Sequence, residues 1–92
     1  MIDLLHEYWA NDDGDSEFGP VRERTDQLRP TLTPGARLVF SLQASSWHQA
    51  MQLYNERLGY GEYQPTQGVP DHLYSDDEAA EQAAYLRGRS VS

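Results

Sequence analysis

Apolar and polar residues alternate most regularly between Arg37 and Ala44, where Leu38, Phe40, Leu42 and Ala44 interleave with Arg37, Val39, Ser41 and Gln43. A period of two marks a strand with one buried face. The sequence therefore predicts a strand over 37–44 with Leu38, Phe40 and Leu42 inside. One strand cannot satisfy its own backbone groups. Its candidate partners are Thr31–Thr33, reached through the Pro34-Gly35 turn, Tyr60–Gln64, the N-terminal segment, or a second copy of the chain.

Elsewhere the spacing is helical. Ile2, Leu5 and Trp9 fall at i, i+3, i+7 and predict a short helix over 2–10, although Ile2, Leu4, His6 and Tyr8 also alternate. Asn11–Phe18 is polar and acidic around Gly14 and reads as a mobile loop. A second helix is expected to open at Gly19-Pro20, to carry Val21, Thr25 and Leu28 inside, and to end before Pro30. Thr31–Gly35 then reads as a turn.

Two helices carry start and stop signals. Ser46 with Gln49 forms a capping box, Trp47, Ala50, Met51, Tyr54 and Leu58 form one stripe, and Gly59 suits a left-handed C-cap with Tyr60 folding back on Tyr54. Ser75 with Glu78 forms a second box, with Tyr74 as a staple against Ala79. Asp76, Asp77 and Glu78 stand at the positive end of that helix and Arg87 at its negative end. Gly88 should stop it, with Ala79, Ala80, Ala83, Ala84 and Leu86 inside and residues 89–92 frayed. The expected fold is α+β: one small, mostly helical domain over 1–92, with about four short helices, one well-marked strand and one or two further short strands.

Charge narrows the function more than it narrows the fold. The net charge is −8, and every basic residue is Arg, a usage that fits a GC-rich bacterial or phage source. Residues 1–36 carry −5, residues 37–74 carry −1 and residues 75–92 carry −2. This balance repels phosphate backbones and suits a basic partner. There is no cysteine, which excludes disulfides, thiolate catalysis and thiolate-bound metals. No run approaches the ~20 apolar residues of a membrane span. Asp3, His6 and Glu7 interrupt the N-terminal apolar stretch, which argues against a secretory leader, so a cytoplasmic location is expected.

Catalytic motifs are missing. His6, His48 and His72 lack metal-ligand spacing, and neighbours Asp71 and His72 cannot readily face each other as a dyad. Ser46 reads as a helix cap rather than a nucleophile, and Gly59-Tyr60-Gly61 lacks the rest of a dinucleotide fingerprint. The Asn11–Glu17 stretch has the composition of a calcium loop, but placing Gly14 in the glycine slot puts Trp9 at the first ligand position. No cofactor and no metal are expected.

The connection from Gly59 to Tyr74 is long for a compact domain and carries three glycines, two prolines, Tyr60, Tyr63 and Tyr74. Tyrosine offers large contact area at low entropy cost. Tyr60, Tyr63, His72 and Tyr74 are the candidate partner-binding residues, against the alternative that the tyrosines complete a thin core. The sequence favours a small, acidic, non-enzymatic protein-binding domain of the adaptor, immunity or inhibitor kind. One rival is an acidic nucleic-acid mimic. Another is an enzyme or ligand-binding subunit whose His72, Asp71 and Tyr63 converge at an oligomer interface. A homodimer paired through the single strand is a further expectation.

Overall fold

The computed structural model describes residues 2–89 and has the element order β1 (Leu4–Ala10), β2 (Ser16–Pro20), α1 (Glu23–Leu32), β3 (Arg37–Ala44), α2 (Trp47–Leu58) and α3 (Asp76–Gly88). The α+β class stands, but four helices and one strand become three helices and a three-stranded antiparallel sheet of order β2-β1-β3.

The overturned element is the N-terminal helix. Leu4–Ala10 is the central strand, and the alternation through Leu4, His6 and Tyr8 is the pattern that decides it. Both parities carry large side chains because both sheet faces are covered, so helical spacing was satisfied by coincidence. Asn11–Phe18 is not one loop. Asn11 Oδ1 accepts the N–H groups of Asp13 and Asp15, which makes a tight hairpin turn, and Ser16 already pairs with Ala10. Gly19 and Pro20 close β2 rather than open a helix. Leu5 C=O accepts the Val21 N–H, so by alternation His6 turns its own groups toward β3, and Pro20 opposite it owes no ladder bond. Helix α1 starts later, at Glu23, and runs through Pro30 to Leu32. Pro30 lies near the helix end, where it removes one bond, and the Thr33 N–H closes the last turn on Arg29 C=O.

Strand β3 keeps its expected bounds, and its partner is the N-terminal segment, so the motive for pairing it with another copy to satisfy its inner edge falls away. Its inside set changes. Tyr8 faces Phe40 and Trp9 faces Leu38, which leaves Val39 as an extra residue in a bulge. The register slip sends Leu38 to the other side of the sheet, where it stays exposed, while Phe40 and Ala44 are buried.

The main core lies between the sheet and α2. Phe18 sits 4.5 Å from Tyr54 and 6.0 Å from Trp47, centroid to centroid, and Tyr8 sits 5.2 Å from Phe40. Ala50 is fully buried on the α2 stripe. The start of α2 differs in detail from a full box. Ser46 Oγ accepts the Gln49 N–H at 3.1 Å, but Gln49 Oε1 takes the N–H of Ser45 rather than of Ser46. Gly59 is left-handed at φ 75°, and Tyr60 approaches Tyr54 edge-on at 6.4 Å, both as expected.

Helix α3 carries the full Ser75–Glu78 box but docks differently from the alanine face expected. Ala80, Ala83 and Ala84 are exposed. The stripe that faces the domain is Glu78, Gln82, Tyr85 and Arg89, a polar row at i, i+4, i+7, i+11. Gln82 carries the join between helix and sheet. Its Oε1 accepts the Leu5 N–H at 2.8 Å and its Nε2 donates to Val21 C=O at 3.1 Å, so one amide fills the gap where β1 and the chain leaving β2 splay apart. Arg89, expected to fray, is pinned; residues 90–92 lie outside the described residues.

Candidate interaction surface

The four residues singled out from sequence do not form one site. Tyr74 is buried, and its hydroxyl meets His6 Nε2 at 2.7 Å. His6 Nδ1 lies 2.9 Å from Leu4 C=O, which can only accept, so Nδ1 carries the proton and Tyr74 donates to Nε2. Burial lowers the His6 pKa and pushes the Tyr74 hydroxyl up to about 12. Tyr74 is therefore a core residue. Tyr63 is half-buried against His48 at 5.7 Å, and its N–H donates to Gln52 Oε1. His72 sits against the Glu78 carboxylate at 2.9 Å, which holds that carboxyl below its usual pKa. Tyr60 is largely open, at 68%, and His72 is exposed as well.

Topology explains the spread. Helix α2 leaves the Ala44 end of β3 and runs back toward Phe40, where Arg57 lies 4.5 Å over the Phe40 ring. Gly59–Tyr74 must return the chain to its starting end. It is fastened along the way by Tyr63 to Gln52, by Asp71 Oδ1 accepting the His48 N–H, and by Tyr74 N–H donating to Ser45 C=O. Between these points Tyr60, Val69 and Leu73 face solvent. Val69 and Leu73 escaped the sequence reading because isolated aliphatic residues in a loop carry no periodicity.

On the opposite sheet face a set of ions is packed where a second apolar core would be expected. Arg89 makes two bonds to Glu7, at 2.7 and 3.0 Å, and two to Asp26, at 2.8 and 3.0 Å. Trp9 Nε1 donates to Glu7, Tyr85 donates to Asp26, and Arg29 lies 4.0 Å over the Trp9 ring while pairing with Glu17 and Asp26. Burial alone would raise the Glu7 and Asp26 carboxyls, but Arg89 in both cases, with Trp9 and Tyr85 respectively, brings them below their ordinary values. Every carboxylate here already has a cation. A cleft of about 500 Å³ lies nearby between the start of α1 and α3, with Leu4 and Val21 at its floor and Arg22, Glu23, Glu78 and Glu81 around it.

The side chains of His72, Asp71 and Tyr63 make no hydrogen bond to one another among the described residues, and no group of three or more metal-ligating side chains occurs among them. Among the described residues no helix is long and apolar enough to cross a membrane. No family model, curated protein or solved structure matches the chain.

Proposed function

We propose that this chain is a protein-binding domain whose contact surface is the Gly59–Tyr74 segment. One observation carries this reading: the segment is tied to the domain by the Tyr63 and Tyr74 N–H groups and the Asp71 carboxylate while Tyr60, at 68%, and Val69, at 57%, remain open to solvent. A returning segment that only closed the core would turn its large apolar side chains inward, as Tyr74 does. A fixed segment that turns them outward is preorganised for a partner and loses little entropy on binding. The net charge of −8 favours a basic protein partner and would speed its approach at low salt.

Affinity capture with the wild type and with Tyr60→Ala plus Val69→Ser, alongside thermal melts, tests the reading. The variant should melt as the wild type does and lose about tenfold or more in capture of the wild-type partner, since interface anchors are typically worth about 2 kcal/mol. Capture equal to the wild type by a stably folded variant overturns it.

A further inference from the structure

The Gly59–Tyr74 segment enters the core at one point. Tyr74 is its buried residue, Tyr63 is half-buried and the others are exposed. The backbone around Tyr74 lies on the surface, held by Tyr74 N–H on Ser45 C=O at 3.2 Å and Trp47 N–H on His72 C=O at 3.0 Å. The Tyr74 ring is therefore a cover. What it covers is His6, which has no exposed surface and lies 5.4 Å from it, centroid to centroid.

His6 is accommodated in its neutral form only. Its Nδ1–H is spent on Leu4 C=O, and its Nε2 accepts from the Tyr74 hydroxyl. A proton at Nε2 removes that acceptor and adds a charge. The walls offer the charge no counter-ion. Strand β2 presents the Phe18 ring, α2 the Trp47 ring, and β3 places Leu42 opposite. Arg22, just ahead of α1, acts on His6 with the repelling sign. Glu7, next along β1, is held by Arg89 on the other sheet face. Glu78 of α3 and Asp71 of the segment act on Tyr74, and they are engaged with His72 and with the His48 N–H. Protonating His72 and His48 tightens those surface pairs, but exposed pairs contribute little. A proton on His6 thus leaves a buried charge that has to reach water.

We propose that a proton on His6 displaces Tyr74 and frees the His72–Tyr74 end of the segment while the rest of the domain stays folded. The consequence rests on the Gly59–Tyr74 reading: the partner surface loses its preorganisation in acid and lets the partner go. Moving Tyr74 is the smallest change that brings water to His6, because the other walls belong to anchored elements. Helix α2 keeps Tyr54 on Phe18 and Phe40. Helix α3 is held without Tyr74, by Gln82 on Leu5 and Val21 and by Arg89 on Glu7 and Asp26. His6 is lowered from 6.5 by its burial, so the covered form loses ground to the open form as pH falls below 6.5, by up to about tenfold per pH unit. Glu7 and Asp26 are lowered from 4.5 and 3.8, so the ionic face holds in the window above 4.5.

Amide hydrogen exchange of the isolated chain by NMR, taken relative to the intrinsic rate at each pH, tests the release. The Tyr74 and Trp47 amides should be protected at about pH 7.5 and unprotected at about pH 5, with the Leu5 amide on Gln82 Oε1 protected at both. His6→Gln, which gains no charge, should keep all three protected at both. If His6→Gln fails to fold, the wild-type ring reports instead: its nitrogen shifts should titrate over the range in which the two amides lose protection. Three protected amides at about pH 5 overturn the proposal. So does their joint loss, which is global unfolding, or a loss of Tyr74 and Trp47 protection that persists in folded His6→Gln or runs apart from the His6 titration. Affinity capture at the same two pH values reads the consequence. The wild type should hold its partner about tenfold or more less well in acid, and His6→Gln should not; equal acid release from both overturns the regulatory step. Tyr60 and Val69 are untouched by these variants, so the exchange result stands or falls separately from the Gly59–Tyr74 reading.

Discussion

The two faces of the sheet are held by different physics. Toward α2, His6, Tyr8, Phe18 and Phe40 pack with Trp47, Tyr54 and Tyr74, and the buried His6–Tyr74 hydrogen bond joins two neutral groups. Toward the ends of α1 and α3, Glu7, Trp9, Glu17, Asp26, Arg29, Tyr85 and Arg89 interlock through charge-assisted bonds. Alternate residues of β1 serve both: His6 and Tyr8 one face, Glu7 and Trp9 the other. The first face gains from removing apolar surface from water and tolerates imperfect geometry. The second is stable only while every charge keeps its partner, because an orphaned buried charge costs more than the pair contributes.

Truncation on the aromatic face should have the largest effect. Phe40→Ala removes a ring that contacts Tyr8, Tyr54 and Arg57 and should cost about 3–5 kcal/mol, enough to abolish cooperative melting in a domain of this size. On the ionic face Arg89→Ala should cost about 3 kcal/mol, because it strands Glu7 and Asp26 together. The faces differ in the rescue. Glu7→Gln in the Arg89→Ala background should recover part of the loss, as a double-mutant cycle by chemical denaturation would reveal. No second polar change should rescue Phe40→Ala. Additive losses at Glu7 and Arg89 would refute the description of that face as a coupled network.

What could be read in the sequence follows the same division. Strand β3 and the starts of α2 and α3 were legible because alternation and capping are local: Ser46, Ser75, Gly59 and Arg37–Ala44 stand where their neighbours imply. The N-terminal strand was not, since a central strand with Leu4, Leu5, Tyr8 and Trp9 filling both parities has no single period. Gln82 and Arg89 were invisible for another reason. A polar residue that docks a helix has the same letter as one that faces water, and only partners 77 and 82 positions away distinguish them. Of the candidate surface, the sequence left Tyr60 and Tyr74 alike open between contact surface and core, because what puts Tyr74 inside is a histidine at the far end of the chain.

The titration of the two faces should separate them further. On the aromatic face the His6 pKa is lowered from 6.5, so its contribution to stability is complete above 6.5 and erodes as pH falls below that value. Tyr74 is raised from 10.0 to about 12, so stability is complete below 10.0 and falls as pH rises toward about 12. On the ionic face Glu7 and Asp26 are lowered from 4.5 and 3.8, so their contribution holds above those values and is lost below them. Stability against pH should therefore show two acid steps and one alkaline step. Tyr74→Phe should shrink the alkaline step, to which Tyr54 and Tyr85, also raised, contribute the remainder, and His6→Gln should remove the step below 6.5. An acid limb in which all loss occurs below 4.5 would show that His6 does not titrate on unfolding as its burial requires.

The smallest expected difference lies in the helix caps, and it compares the helix seated on the aromatic face with the one held by polar contacts. Ser46→Ala and Ser75→Ala should each cost roughly 0.5–2 kcal/mol. Ser46 is buried, and its Oγ is the acceptor for the Gln49 N–H, so removing it leaves a donor that water reaches poorly. Its cost should fall at the upper end. Ser75 is exposed, and losing its Oγ frees the Glu78 N–H to water while Glu78 Oε1 still accepts the Ser75 N–H at 3.0 Å. Its cost should fall at the lower end. Urea unfolding of both variants measures the order directly through their midpoints. A reversed order would mean that α3, which buries no residue of its own, depends on its first turn more than on the Gln82 and Arg89 anchors. The polar row would then be a consequence of where the helix lies rather than the cause.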